Sequence, residues 1–205
     1  MGLPLQAIRQ MVRDRIGVPP HDEFFSPNVL DTNINLALTA IESEHRWPWN
    51  ETAIDVTLDS SGEMQMPDDW RATRAIWTRY NTLVEVPYYD LKVRFSYSSG
   101  EPTHFSIVNQ TMHVRPWPSG DIQATHLYYA EPKVLVSDTD TPNIPMQHIG
   151  TLIAKAAQLC SVREDDRPSA DVHRTEYSQG IERMRKEVHV STRPTTIRVR
   201  EGSWT

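Results

Sequence analysis

A single cysteine, Cys160, occurs in 205 residues. One thiol cannot close an internal disulfide or build a cysteine-based zinc site, and it suits synthesis in a reducing compartment. No apolar run comes near the roughly 20 residues that span a bilayer. The first 16 residues mix Arg9, Arg13, Asp14 and Arg15 with apolar positions, so no continuous apolar segment marks a secretory signal. Their shortness and the acidic residue argue against a transit peptide. No phosphate-binding glycine loop, serine nucleophile elbow or HExxH helix is present. There is no internal repeat and no low-complexity tract. These absences argue against a disulfide scaffold, a membrane-spanning helix and the best-marked enzyme classes.

The charge that is present is uneven. The chain carries a formal −6. From residue 181 to 205, six basic residues (Arg183, Arg185, Lys186, Arg193, Arg198, Arg200) face three acidic ones (Glu182, Glu187, Glu201), so this stretch is +3 and the rest −9. An acidic body with a basic end implies docking on an acidic protein or on nucleic acid; the plainer reading is a solvated end. Thr196-Ile197-Arg198-Val199-Arg200 alternates as a strand does, and Trp204 adds an aromatic anchor. Solvation alone has little use for either feature, so an arm that orders on a neighbour is the better reading. Its contact residues are Arg183, Arg185, Lys186, Arg193, Ile197, Arg198, Val199, Arg200 and Trp204.

Periodicity predicts the elements. Leu5, Ile8, Val12 and Ile16 form one helical stripe over residues 3–16, closed by Gly17-Val18-Pro19-Pro20. Ser26-Pro27 opens a second helix, with Leu30, Ile34, Ala37, Leu38 and Ile41 as its stripe. It ends near Arg46, ahead of Trp47-Pro48-Trp49. Ile54, Val56 and Leu58 alternate into the turn Asp59-Ser60-Ser61-Gly62, with residues 63–66 as the return strand of a hairpin. Strands are expected at 75–80 and 82–86, and a short helix after Pro87. A tight hairpin turns on Asn109-Gln110. A last strand covers 121–130, with Ile122, Ala124, His126 and Tyr128 on one face. Two further helices cover 145–163 and 170–190, separated by Glu164-Asp165-Asp166-Arg167-Pro168. The fold class is α+β: a bundle of about four helices with a β-rich insertion between the second and third, plus an extended arm. The expected divisions are 1–51, 52–132, 145–190 and 191–205.

Several residues invite a chemical reading and find a simpler one. His104, His113 and His126 lie on strands without metal-site spacing. Asp138-x-Asp140 lacks the glycine and closing glutamate of a calcium loop. Cys160 falls on the apolar stripe of the third bundle helix and reads as core. Glu164-Asp165-Asp166 reads as a solvated turn. Trp47 and Trp49, astride Pro48, read as packing at the helix-to-sheet junction. A carboxylate pair for glycoside hydrolysis is made in space, so spacing neither supports nor removes it. No catalytic residue, cofactor or metal is assigned.

The run of segments resembles phage head–tail adaptors, the neck proteins beneath the portal. Leu30-Asp31-Thr32-Asn33-Ile34-Asn35-Leu36-Ala37 leading to Trp47 and Trp49 is similar to their early helix. Gly62…Met66-Pro67-Asp68-Asp69-Trp70 is similar to their turn and Leu-Pro-x-Asp-aromatic stop, with Met66 in place of leucine. Gly100-Glu101-Pro102-Thr103-His104-Phe105 resembles the start of their strand pair, with Phe105 where an aromatic hydroxyl is usual. Val114-Arg115-Pro116-Trp117-Pro118 and Leu127-Tyr128-Tyr129-Ala130-Glu131-Pro132 match in the same order, and Asp138…Asp140-Thr141-Pro142…Pro145 then opens a helix. The likeness covers about residues 26–190. It implies a virion structural protein rather than an enzyme, made in the host cytoplasm. It further implies a ring, usually of about twelve copies, that binds the portal protein, extends the DNA channel without sequence-specific contact, and docks the next neck or tail-tube protein. The alternative is a carbohydrate- or receptor-binding module of a phage tail protein, with Trp70, Trp77, Trp117, Tyr88, Tyr89, Tyr128 and Tyr129 as its aromatic face.

Overall fold

The computed structural model describes residues 2–95 and 99–191. They form an α+β protein with five helices and two sheets. The chain divides into two compact units, one of residues up to His45 together with those from Leu135 onward, the other Arg46–Val134.

In the first unit, α1 (Leu5–Ile16) buries Leu5, Ile8 and Val12 and stops at Gly17, whose φ of 71° suits glycine. The helix begins two residues later than periodicity predicts because Pro4 is extended, at ψ 154°. The first N–H groups of α1, which no helical carbonyl can reach, are met from elsewhere. Leu5 donates to the Asp140 carbonyl at 2.8 Å and Gln6 to that of Asp138 at 3.1 Å. Next comes α2 (Pro27–Glu44), with Ser26 and Pro27 at its start and Leu30, Ile34, Ala37, Leu38 and Ile41 buried. After a 3-10 turn at Met146–His148 the chain forms the fourth helix, here α4 (Ile149–Arg163), and then α5 (Arg167–Ser191). α4 packs against α1, α2 and α5, which explains why it is buried on most of its circumference. Its crossing with α5 is close: a Cβ on Gly180 would lie 2.3 Å from Thr151 Oγ1 and 2.7 Å from Thr151 Cγ2.

The second unit holds the remaining helix, α3 (Tyr88–Arg94), with Leu91 buried, and all seven strands. β1 (Glu51–Leu58), β7 (Ile122–Ala130) and β3 (Trp70–Thr78) form one antiparallel sheet in the order β1-β7-β3. β2 (Glu63–Gln65), β6 (Thr111–Arg115), β5 (His104–Val108) and β4 (Val84–Glu85) form the other in that order. Leu58, Ile76 and Ala124 of the first sheet pack with Phe105, Met112 and Val114 of the second in one cluster. The hairpin turn at Asn109 and Gln110 has φ of 50° and 60°, the paired positive values of a tight two-residue turn.

One expected pairing is wrong. β1 and β2 are not a hairpin, because β1 is taken along its whole length by β7 while β2 pairs with β6. The turn itself is present: Gly62 N–H donates to the Asp59 carbonyl at 3.0 Å, and Ser61 N–H to Asp59 Oδ1 at 2.9 Å. Gly62, at φ 64°, then accepts from Val114 N–H at 2.8 Å, which carries the chain into the other sheet. β3 also starts five residues earlier than predicted, at Trp70, with two register shifts that hide its alternation. β7 has the predicted faces, with Ala124, His126 and Tyr128 buried.

His126 is fully buried. One ring nitrogen, Nε2, lies 3.0 Å from Thr73 Oγ1, which also accepts from Trp70 Nε1 at 3.1 Å; the other, Nδ1, has no partner. Burial pushes its pKa down to about 4, since the imidazolium would lose its solvation. Protons then bind the unfolded chain more readily between pH 6.5 and about 4. The contribution of neutral His126 is present above pH 6.5 and is lost, by about 3 kcal/mol, as pH drops to 4. Urea midpoints at pH 7.5 and 4.5 should show this loss, and His126→Gln should shrink the difference by about 2 kcal/mol. Gly180→Ala should cost about 1–3 kcal/mol by overpacking, and thermal melts combined with Thr151→Ala should reveal a coupling between the two sites.

Candidate assembly surface

The charged residues of α5 follow from its amphipathic pattern. Ala170, His173, Tyr177, Ile181 and Met184 turn inward, which leaves Arg183 and Lys186 exposed on the other side. Arg185 is drawn back to α2: its Nη2 donates to the Glu44 carbonyl at 3.0 Å and to Glu44 Oε2 at 2.8 Å. Glu44 also accepts from the Tyr177 hydroxyl at 3.5 Å. Burial and the Glu44 charge push the Tyr177 pKa up to about 12. Arg183 donates to the Gln179 carbonyl at 3.4 Å along its own helix. Of the arm residues named from the sequence, Arg193, Ile197, Arg198, Val199, Arg200 and Trp204 lie outside the described residues.

Arg183 borders a shallow groove across α1, α4 and α5. Gly150, Thr151, Ala154, Glu176 and Gln179 line one part of it. Met11, Asp14 and Ile153 line an adjoining part, and Arg15 and Gly150 belong to both. Arg15 and Glu176 form an ion pair within it. Farther along α5, His148 Nε2 and Gln147 Nε2 each lie 3.2 Å from Glu187 Oε2. Burial lowers the His148 pKa, with Arg183 adding to the effect and Glu187 opposing it. Met11 is about half exposed, at 44%, while Ile153 and Ala154 are buried. The groove therefore has an apolar floor with mixed charge on its walls, suited to an apolar anchor ringed by polar contacts. The periodic reading of α4 did not reveal it. Gly150, a glycine inside a helix, was the available signal, because nothing lies within 4 Å of where its Cβ would be.

The other singled-out residues are occupied in holding the fold. Arg9 makes a two-pronged contact with Asp31, at 2.7 and 2.8 Å, and a third bond to Asp138 at 2.8 Å. Asp140 Oδ2 accepts from Val136 and Ser137 N–H. Asp166 accepts from Ser169 N–H at 3.3 Å and so caps α5, which holds its pKa down. Cys160 is buried beside Asn33, and burial raises its thiol to about 11. His104 bonds Thr103 and stacks on Phe95, and His113 faces Glu63 and Tyr88. Among the described residues, no group of three or more His, Cys, Asp or Glu side chains could hold a metal.

The aromatics proposed as a binding face are dispersed through the second unit. Tyr128 is buried and donates to Asp69 at 2.9 Å. Trp117 lies under the guanidinium of Arg115, 4.0 Å from it, and Arg115 is itself 2% exposed. Trp77 and Tyr89 are exposed. Trp47 is buried and stacks on Trp49, with ring centroids 4.9 Å apart. No described helix is long and apolar enough to cross a membrane.

A family model described as SU10 adaptor protein matches residues 4–200. No curated protein matches the chain.

The open side of Gly150 makes a direct prediction. Gly150→Trp should leave stability within about 0.5 kcal/mol of the parent in a thermal or urea melt, unlike a substitution at Gly180. It should obstruct whatever the groove receives.

Proposed function

The chain belongs to the SU10 adaptor protein family, a phage head–tail adaptor, and from that premise we propose that it assembles as a ring beneath the portal. The ring holds about twelve copies, extends the channel through which the genome passes, and presents its far surface to the next neck or tail-tube protein. The protein acts in the virion after synthesis in the host cytoplasm, and its role is structural rather than catalytic. The observation that carries this reading is the family match across nearly the whole chain.

Two physical features support it. The body outside residues 181–205 carries −9 while that end carries +3. An acidic lumen would not hold the phosphate backbone, whereas a basic one would grip DNA through counterion release. The basic end supplies the complementary charge for a docking contact. An arm that orders on its partner bears its ordering cost at assembly, which keeps the free chain from associating early. The α1–α4–α5 groove offers a second contact, able to take an apolar side chain between charged walls.

Native mass spectrometry of the chain alone and mixed with the portal of the same genome tests this. The chain alone should be a monomer or weak oligomer, and the mixture should contain the portal with about as many adaptor copies as a ring requires. Deleting residues 193–205 should abolish that association without changing the melting temperature of the remainder. Unchanged portal binding by the shortened chain would overturn the role given to Arg193, Ile197, Arg198, Val199, Arg200 and Trp204. No association of the intact chain with the portal would overturn the adaptor-ring reading itself.

A further inference from the structure

β1 is an unusually unguarded edge. It pairs with β7 through eight residues, Glu51 to Leu58, in unbroken register. It contains no proline, lysine or arginine, the devices that commonly protect an edge from further pairing. No second strand pairs with it among the described residues. The opposite edge of the same sheet is defended. β3 has two register shifts, and the chain beyond it folds back, with Leu83 N–H donating to Ile76 and Thr78 N–H to Asn81, both at 2.8 Å. The outer strands of the other sheet, β2 and β4, have three and two residues.

The two faces of β1 define what would fit. Ile54 and Val56, on the core side, are only half-buried, although Leu58 in the same row is 1% exposed. The apolar row therefore runs out beyond its cover. On the other face, Ala53, Asp55 and Thr57 are exposed; Glu51 is already paired with Arg74, so Asp55, which accepts from Thr125 Oγ1 at 2.9 Å, is the exposed acidic group of that face. An added strand should thus alternate an apolar side with a basic side. Thr196-Ile197-Arg198-Val199-Arg200 has that pattern: Ile197 and Val199 would extend the Ile54/Val56 row, and Arg198 and Arg200 would lie on the Asp55 side.

We propose that residues 196–200 of a second copy of this chain add to β1 as a fourth strand of the β1-β7-β3 sheet. The inference rests on the ring reading above and names the arm's partner within it. Each copy has one arm segment and one β1 edge. Passing arms head to tail around a closed ring leaves no β1 edge unpaired. Main-chain hydrogen bonds hold the strand, and the alternating side chains select it.

Hydrogen exchange of the segment 51–58, read by mass spectrometry on the full chain before and after assembly on the portal, tests this. Exchange there should slow about tenfold or more on assembly. Arg198→Pro/Val199→Pro removes an N–H from each side of the arm strand and should abolish the slowing. An isotope-labelled copy of that variant, whose own edge is intact, should regain protection of 51–58 when mixed with unlabelled parent chain. Equal exchange before and after assembly overturns the inference even where native mass shows a complete ring. Protection already full in the dilute parent chain assigns the edge to its own arm and overturns it. Protection of the labelled variant by portal alone assigns the edge to the portal and also overturns it. Cross-protection between copies without any portal-bound ring would support strand addition and count against the adaptor reading.

Discussion

Asn35 holds the helical unit together across a long interruption. Its side-chain amide takes both backbone groups of Leu135, donating to the carbonyl and accepting from the N–H, each at 2.9 Å. The chain leaves this unit after His45 and re-enters at Leu135, so the two halves must be brought back into register at an entropic cost. The returning segment is then used at once. Leu135 is 2% exposed, Asp138 bonds Arg9, and the Asp138 and Asp140 carbonyls cap α1. Without that re-entry, α1 would lose its cap and α4 would not reach the stripes of α1 and α2. An asparagine suits the position because its amide imitates a backbone unit, with donor and acceptor side by side.

The β unit obeys a different constraint. Several of its strands are joined by short turns, yet nearest neighbours in sequence are often in different sheets. β1 and β2 are separated by a four-residue turn and share no ladder. β7, the last strand, instead lies between β1 and β3. That order buries β7 on one face with His126 inside it, and it leaves β1 as a long, regular edge. The core between the sheets is fed by Met66, Met112 and Met64, adaptable side chains that fill irregular gaps. The same arrangement that closes the core thus also sets out the surface available to another chain.

Charged residues divide by position. Arg9 with Asp31 and Asp138, and Arg185 with Glu44, tie helices within the first unit. Arg183 and Lys186 keep their charge at the surface. Exposed pairs contribute little to stability, so the distribution bears more on which surfaces meet than on how firmly the fold stands.

The sequence by itself determined the helices, the Asn109-Gln110 hairpin, the faces of β7, the α+β class and the family likeness. Helical stripes, turn residues and strand alternation are local signals that a few neighbouring positions carry in full. The early start of β3, at Trp70, escaped because two register shifts disturb its alternation. Only the tertiary structure decided that β1 pairs with β7 and not β2, that Arg185 is held by Glu44, and that Met11, Arg15 and Gly150 share a groove with Arg183. Strand pairing and side-chain partnership join residues far apart in the chain, and their energies depend on which surfaces the folded backbone brings together. No local pattern of apolar and polar positions encodes that choice.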